Sequence, residues 1–467
     1  MTDLNLYNLF NPSRILLVGA SDRVLFSAGI ARYLLEHGFA DRLTMVNPSG
    51  RAVFGRATHT GIAAAAGDGP FDLAIIAIPA PAVPDAIDEL AEIGCPFVIL
   101  ESAGFAETGP DGAALQREVV DRARRCGVRV LGPNCVGVVD TTTRFASTEV
   151  LEESLRPGGV ALIAQSGVFG SILLDWAPSH GLRMSKAITL GNRCDLDEAD
   201  FLNFLADDPA TRVVAMYLEG VADGRRFLDA VAACRRHGKP VVVLKGGRTG
   251  PGAHAVGSHT ASLAGSDAVF EGALRQAGGI RARSLEHLTD LARAFDACPA
   301  PRGPRVAMIT TSGSQGILAT DAITEHGLEL ARFAPETIAR VRAIAPSWMT
   351  IGNPLDLGPS GIYRDAIAAV LDDPQVDALL LHIAIPWGSV RELFTGPDAI
   401  EGLLGDPAVL RAAAGRMPIL LSHVGYPRFV EFVTEAYGSF LPIYPTAERA
   451  AQTLASMWQG PEAASEK

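Results

Sequence analysis

Long apolar runs are missing. No stretch of the 467 residues approaches the roughly 18 uninterrupted apolar positions of a membrane-crossing helix. The opening MTDLNLYNLFNPSR has no basic segment leading into an apolar core, the mark of a secretory leader. A reducing cytoplasm is the expected location, with no membrane partner. Cysteine is sparse: Cys95, Cys126, Cys135, Cys194, Cys234 and Cys298 include no close pair, which argues against a zinc site and against a disulfide scaffold. Positive charge is in deficit, with Lys+Arg 40 against Asp+Glu 52 and a formal net charge of -12. That balance disfavours nucleic acid or anionic membrane over the whole surface, while a small anion can still be held locally by backbone N–H groups. No H-E-x-x-H or comparable ligand spacing occurs, and no metal site is expected.

The chain is too long for one ordinary core, and its 48% hydrophobic and 20% charged residues are normal for a folded globular protein. Short runs rich in Val, Ile and Leu, namely RILLVG (14–19), LTMVNP (43–48), DLAIIAIP (72–79), PFVILES (96–102) and VRVLGP (128–133), alternate with amphipathic stretches such as AVPDAIDELAEIG. That alternation predicts an α/β fold with a parallel sheet and crossover helices. After the polar stretch TTTRFASTEVLEESLRPGG the pattern restarts with VALIAQSG (160–167), KAITLGN (186–192), RVVAMYLEG (212–220) and PVVVLKGG (240–247). Beyond the Pro-rich CPAPRGPR (298–305), a further unit carries VAMITTSG, VDALLLHIAIP and MPILLSHVG. Three domains are expected, over 1–145, 155–298 and 303–462.

The later units contain a repeat. Residues 160–182, VALIAQSGVFGSILLDWAPSHGL, align without a gap on 306–328, VAMITTSGSQGILATDAITEHGL. Ser166, Gly167, Gly170, Asp175, His180 and Gly181 recur as Ser312, Gly313, Gly316, Asp321, His326 and Gly327. Both copies place S-G-x-x-G where a strand gives way to a helix. A serine there can cap exposed N–H groups, and the same groups at the positive end of the helix can hold phosphate. Ser166 lacks the G-x-S-x-G elbow of a serine hydrolase. GASDRVLFSAG (19–29) approximates G-x-G-x-x-G without matching it, and residue 47 is Asn where an acidic ribose ligand would stand. These departures argue against an NAD enzyme and leave another nucleotide-like ligand open. Cys135, in GPNCVG, reads as a small buried residue rather than a reactive thiol.

KGGRTGPGAHAVGSHTASLAG (245–265) follows a strand and carries five glycines before His259. A helix is expected to start near Thr260 or Ser262. So many small residues suit a loop approached closely by a ligand more than a core element. Imidazole fits phosphoryl transfer because one nitrogen can attack phosphorus while a carboxylate holds the proton on the other. Glu219, closing YLEG at the end of a neighbouring strand, is the candidate for that task. The bland readings are a hydrated surface histidine and a glutamate that ends a strand or pairs with Lys245.

In order along essentially the whole chain run LLVGAS, VNPSG, SAGFAETG, LGPNCVG, LIAQSGVFG, LGNRCDLDEAD, YLEGV, LKGGRTG, SHTASLAG, VAMITTSGSQG, NPLDL and LPIYPTAERA. Together they resemble the alpha subunit, or alpha-like half, of NDP-forming acyl-CoA synthetases, relatives of succinyl-CoA synthetase. The resemblance implies an N-terminal Rossmann-like CoA-binding domain followed by two flavodoxin-like domains. It implies phosphohistidine chemistry at His259 with Glu219, and phosphate-binding helix starts at Ser166 and Gly167 and at Ser312, Gly313, Ser314 and Gly316. Coenzyme A contacts are implied at Gly19, Ala20, Ser21, Asn47, Pro48, Ser102, Ala103, Pro133 and Asn134. Lysines usual after GAS and VNP are replaced, with Arg23 or Arg51 as substitutes. Ala261 stands where glycine is usual, and Thr311, Ser312 and Gly313 replace an Asn-Gly-Gly phrase. Fused relatives continue into an ATP-grasp module where this chain ends at Lys467. The resemblance therefore implies a separate ATP-grasp beta subunit in a heterotetramer, with ATP or GTP and Mg2+ bound mainly by that partner. A small carboxylic acid or acyl-CoA is the implied substrate. The alternative is a non-catalytic CoA-binding regulatory protein of the same fold.

Overall fold

The near-continuous apolar runs become buried parallel strands, as expected where helices cover both faces of a sheet. The computed structural model describes residues 6–23, 25–254, 266–358, 360–385 and 407–462, and the chain divides into two units, Met1–Arg283 and Ser284–Lys467. In the first unit, β1 (Ile15–Val18), β2 (Leu43–Val46), β3 (Leu73–Ile76), β4 (Phe97–Leu100) and β5 (Arg129–Leu131) form a parallel sheet of order β2-β1-β3-β4-β5. β1, β3 and β4 are buried at every position. The short helix α1 (Tyr7–Phe10) precedes the sheet, and α2 (Leu25–Glu36), α3 (Val83–Glu92) and α4 (Pro110–Cys126) cross over it. Local chemistry sets the limits of α4. Pro110 and Asp111 open its first turn, Arg124 and Arg125 sit at its negative end, and Gly127 closes it in the left-handed region at φ 75°.

A second sheet in the same unit has the order β12-β11-β10-β8-β9-β6-β7. Its strands are β6 (Gly137–Asp140), β7 (Phe145–Ala146), β8 (Val160–Ala164), β9 (Met184–Thr189), β10 (Val213–Leu218), β11 (Val241–Lys245) and β12 (Ile280–Ala282), with α5 (Gly167–Trp176), α6 (Glu198–Asp207), α7 (Gly224–Arg236) and α8 (Asp267–Gln276) between them. β6 runs antiparallel to both β7 and β9. β7 lies inside the stretch whose composition reads as a polar connector, and its Phe145 and Ala146 are both buried. Lys186 on β9 is buried between Asp140 (3.2 Å) and Asp208 (3.0 Å), so its charge is paired twice where it leaves water.

The second unit opens with α9 (Leu285–Ala297) and builds its sheet from β13 (Arg305–Thr310), β14 (Glu329–Leu330), β15 (Leu355–Asp356), β16 (Ala378–Ile385), β17 (Ile419–Gly425) and β18 (Ile443–Tyr444). The order is β14-β13-β16-β17-β18, with β15 also paired to β13. α10 (Gly313–Glu325) follows β13 and packs with the final helix, α11 (Ala447–Glu462), over a core containing Met308, Ile323, Leu380 and Leu454. β9-β8-β10-β11-β12 and β14-β13-β16-β17-β18 therefore repeat the order of β2-β1-β3-β4-β5. This is the doubly wound arrangement that reverses beside its first strand and receives ligands at the strand C-terminal ends. The repeated stretch in the sequence is the first strand and helix, β8–α5 and β13–α10, of two such sheets. The α/β class, Rossmann-like and then twice flavodoxin-like, is the one expected.

Candidate functional site

A cavity of about 570 Å³ opens in the first unit beyond the C-terminal ends of β3 and β4, within the size range of small-molecule sites. One wall is Phe26 and Ser27 of α2 with Ala77, Ile78 and Pro79 after β3. Glu101, Ser102 and Ala103 after β4 line it too, as do Asn134, Cys135 and Val136 ahead of β6. Gln165, Ser166, Gly167 and Val168 close it at the start of α5, with Gly191 and Asn192 after β9. Two sheets thus share one site.

The segment after β9 fastens them. The N–H groups of Asn192, Cys194 and Leu196 donate to Pro133 O (2.8 Å), Gly132 O (2.9 Å) and Val130 O (3.0 Å). Gly191 has φ 58°, and a Cβ there would lie 2.1 Å from Pro133 O, so the position needs glycine. Asn192 Nδ2 donates to Glu107 Oε2 (2.6 Å) and Gln116 Oε1 (2.9 Å).

At α5, Ser166 Oγ accepts from the Phe169 N–H at 3.4 Å, the expected cap. A Cβ at Gly167 would come within 2.8 Å of Val136 Cγ2 and one at Gly170 within 2.6 Å of Thr189 Cγ2, so both glycines serve the packing of the helix as well as any ligand. The first-turn N–H groups have no intrahelical partner and give this wall a positive end. The equivalent start in the second unit differs. Ser312 makes no side-chain cap of α10 and its Oγ lies 3.1 Å from Ser314 Oγ, which corrects the expectation that both serines cap. Gly313 and Gly316 head the same helix, with Asp356 Oδ2 and Thr310 Cγ2 close to where their Cβ atoms would stand.

Glu219 follows β10 and is 4% exposed. Its N–H donates to Gln165 Oε1 at 2.7 Å and that of Gly220 to the same atom at 3.1 Å, so the residue before Ser166 holds the Glu219 turn. Tyr217 OH donates to Glu219 Oε1 at 3.3 Å, and burial together with the neighbouring carboxylate pushes that phenol up to about 12. Lys245, at the end of β11, is buried with Nζ donating to Gly246 O at 2.8 Å. Burial pulls its ammonium below the usual range, Arg281 adding to the effect while Asp267 and Glu219 oppose it. A carboxylate, a phenol and a lysine therefore cluster where the segment leading to His259 departs. His259 itself, with Thr260 and Ser262, lies outside the described residues.

The loop after β1 is built to be tight. Gly19 has φ 89° and a Cβ there would stand 2.4 Å from Ala77 O. Ser27 Oγ donates to Gly19 O (2.7 Å) and Asn47 Nδ2 to Ala20 O (2.7 Å), while Asn47 Oδ1 accepts from the Ser49 N–H (2.9 Å) beyond Pro48. Asn47 thus braces this loop. Ser21 Oγ accepts from the Arg23 N–H (3.1 Å), and the Arg23 side chain is 77% exposed. Ser102, Ala103, Asn134, Ser166 and Gly167 meet around the cavity. Gly19, Ala20, Ser21, Arg23, Asn47, Pro48 and Pro133 are outside its lining, and Ser312, Gly313, Ser314 and Gly316 belong to the second unit. Glu101, Gln165 and Asn192 are lining residues that sequence reasoning did not select. LGN and AQSG stood among the ordered motifs and could have drawn attention to the last two. Cys135 is buried, its thiol pushed up by burial and by Glu101, as its bland reading required. Among the described residues no group of His, Cys, Asp and Glu could hold a metal ion, and no helix is long and apolar enough to cross a membrane.

Three family models match in succession: a CoA binding domain over residues 13–141, a succinyl-CoA ligase like flavodoxin domain over 157–295, and a ligase-CoA domain over 306–455. The alpha subunit of acetate–CoA ligase [ADP-forming] I from Pyrococcus furiosus is 33% identical over 98% of this chain and 98% of its own length. Acetate–CoA ligase [ADP-forming] II from Archaeoglobus fulgidus is 35% identical over 82% of this chain, which spans only 58% of that longer protein. Among solved structures, the dinucleotide forming acetyl-coenzyme A synthetase 1 of Ca. Korarchaeum cryptofilum, in complex with phosphate and ADP, superposes with a TM-score of 0.88 at 32% identity, covering 99% of this chain and 98% of that one.

Proposed function

Because the chain belongs to the family of ADP-forming acyl-CoA synthetases and has the domain order of their alpha subunits, we propose that it serves the reaction acid + CoA + NTP ⇌ acyl-CoA + NDP + phosphate through a phosphohistidine at His259. The observation that carries this reading is the shared cavity. The ends of the CoA-binding sheet meet the amino end of α5 there, and Gln165 ties that helix start to Glu219.

In the direction of thioester synthesis, a His259 ring nitrogen attacks the γ-phosphorus of ATP or GTP, forming a P–N bond and releasing the NDP. Glu219 holds the proton on the other nitrogen. The carboxylate of the acid then attacks the same phosphorus, breaking the P–N bond and giving an acyl phosphate. The CoA thiolate attacks the acyl carbon, and phosphate departs. Charge on the transferred group gathers where the first-turn N–H groups of α5 are directed, a fixed donor set that needs little reorganisation. Ser102, Ala103 and Asn134 line the proposed CoA side of the cavity, and Ser312, Gly313, Ser314 and Gly316 are the corresponding helix start of the second unit.

Nucleotide and Mg2+ are proposed to bind mainly on an ATP-grasp beta subunit, the two chains forming a heterotetramer in the cytoplasm. The name of the Pyrococcus relative, a subunit alpha, supports such pairing. Relatives named for acetate support a small carboxylic acid as substrate. The test is to purify this chain with its ATP-grasp partner and follow ATP-dependent thioester formation over short-chain, dicarboxylic and aryl acids. Thioester should form, and His259→Ala should abolish it. CoA binding with no thioester from any acid would favour a non-catalytic regulator instead.

A further inference from the structure

The turn that presents Glu219 has its backbone held from two sides. Gln165 Oε1 accepts from the N–H groups of Glu219 (2.7 Å) and Gly220 (3.1 Å), and Arg193 Nη1 donates to Gly220 O (2.8 Å). Neither contact reaches the carboxyl group. The last torsion of a glutamate side chain is broad, so a fixed turn alone does not set the plane of its carboxylate. Tyr217 does reach it. Two residues earlier on β10, it donates from its OH to Glu219 Oε1 at 3.3 Å. The phenol is itself held in place, because its ring stacks on Phe169 with centroids 4.1 Å apart and planes 20° from parallel. Phe169 lies in the first turn of α5, and its N–H is the one that Ser166 Oγ accepts at 3.4 Å. Gly246, the first residue after β11, leaves room for the pair: a Cβ there would stand 3.2 Å from the Tyr217 oxygen and 3.7 Å from Glu219 Cγ. The OH therefore comes to the carboxylate from a ring seated on the same helix start that carries the proposed phosphate donors.

We propose that Tyr217 is a positioning residue which, by donating to Oε1, fixes the plane in which the Glu219 carboxylate meets the His259 imidazole. The stack on Phe169 ties that plane to the first turn of α5, so the group that holds the imidazole proton and the N–H groups that receive the phosphoryl charge share one support. This rests on the phosphohistidine reading above and adds the residue that orients its carboxylate.

The test follows labelling of His259 in the full chain from radiolabelled inorganic phosphate with acetyl-, succinyl- or benzoyl-CoA. It compares wild type, Tyr217→Phe, Glu219→Gln and the double variant. Tyr217→Phe keeps the ring and its stack and loses only the OH. It is expected to label about fivefold to tenfold more slowly at saturating phosphate, with the half-saturating phosphate concentration within about twofold of wild type. In the Glu219→Gln background the same substitution should change the rate by less than about twofold, because the carboxylate it orients is gone. A merely structural phenol would slow labelling equally in both backgrounds. That outcome overturns the proposal, as does a wild-type rate in Tyr217→Phe. Either result, with His259 labelled in wild type, removes the role of Tyr217 and leaves the proposed reaction standing. A wild type that takes no label from any of the three thioesters removes the phosphohistidine reading and this proposal with it.

Discussion

Gln165 accepts two backbone N–H groups through one carboxamide oxygen and so fixes the turn that presents Glu219. Gln165→Leu leaves both donors buried without an acceptor, and denaturant unfolding should record a loss of roughly 1–3 kcal/mol; unchanged stability would show that the turn does not depend on it. Glu219→Gln should slow the proposed phosphorylation of His259 by about 100- to 10,000-fold, the range of a lost general acid–base contact, while the Kd for CoA measured by calorimetry stays within about twofold. The thiols give a separate check. Cys126 is exposed and Cys194 half-buried, whereas burial pushes Cys95 and Cys298 to about 12 and Cys234 to about 11. A native thiol titration should find a fast group that vanishes in Cys126→Ser; fast reaction of Cys95, Cys234 or Cys298 would contradict the burial. At this scale the sequence singles out a residue by its unusual setting, the histidine among glycines on which the proposed relay rests. Gln165 is a single polar residue closing an apolar strand, and its role comes from the Glu219 turn after the neighbouring strand, which its own stretch of sequence does not contain.

The twin helix starts look alike in sequence and differ in use. Ser166 caps α5, so Ser166→Ala should cost about 1 kcal/mol. Ser312 does not cap α10, and Ser312→Ala should cost only a few tenths, roughly the effect of an uninvolved surface substitution. Equal losses would mean that the two ends are equivalent after all. On β16, His382 is 1% exposed with Nδ1 2.8 Å from Ser422 Oγ of β17, and burial is the main cause that pulls its imidazole down from 6.5 to about 4. His423 on β17 is lowered by burial too. A folded value below the unfolded one means that the unfolded chain binds the proton more readily. The neutral ring's contribution is therefore complete above about pH 6.5 and is lost as pH falls toward 4, by roughly 2 kcal/mol between pH 7 and 5. Denaturant unfolding of the chain at those two values should show that loss for wild type and a smaller one for His382→Gln; equal losses would exclude the histidine as the cause. The runs that became β1, β3, β8 and β10 were legible because each is apolar along its whole length, and β13 and β16 because only Arg305, Thr310 and His382 interrupt theirs. The short strands β7, β14, β15 and β18 were not, since two residues carry no period and each is held in place by the strand beside it.

Across the whole chain the same strand order is built three times, yet only two copies are visible as a sequence repeat. β8–α5 and β13–α10 keep S-G-x-x-G because a close helix start is wanted in both. β1–α2 turns through GASDRVLFSAG, where Gly19 passes against Ala77 O and the helix starts farther along. The cavity could not be read from either pattern, because Gly191 and Asn192, after β9 of the second sheet, join its lining beside the end of the first sheet. The proposed relay joins this cavity to one imidazole. Incubating the chain alone with an acyl-CoA and radiolabelled inorganic phosphate runs the relay backwards without nucleotide. An acid-labile, base-stable label on His259, absent from His259→Ala and weak in Glu219→Gln, is the predicted result; full labelling of His259→Ala would contradict it.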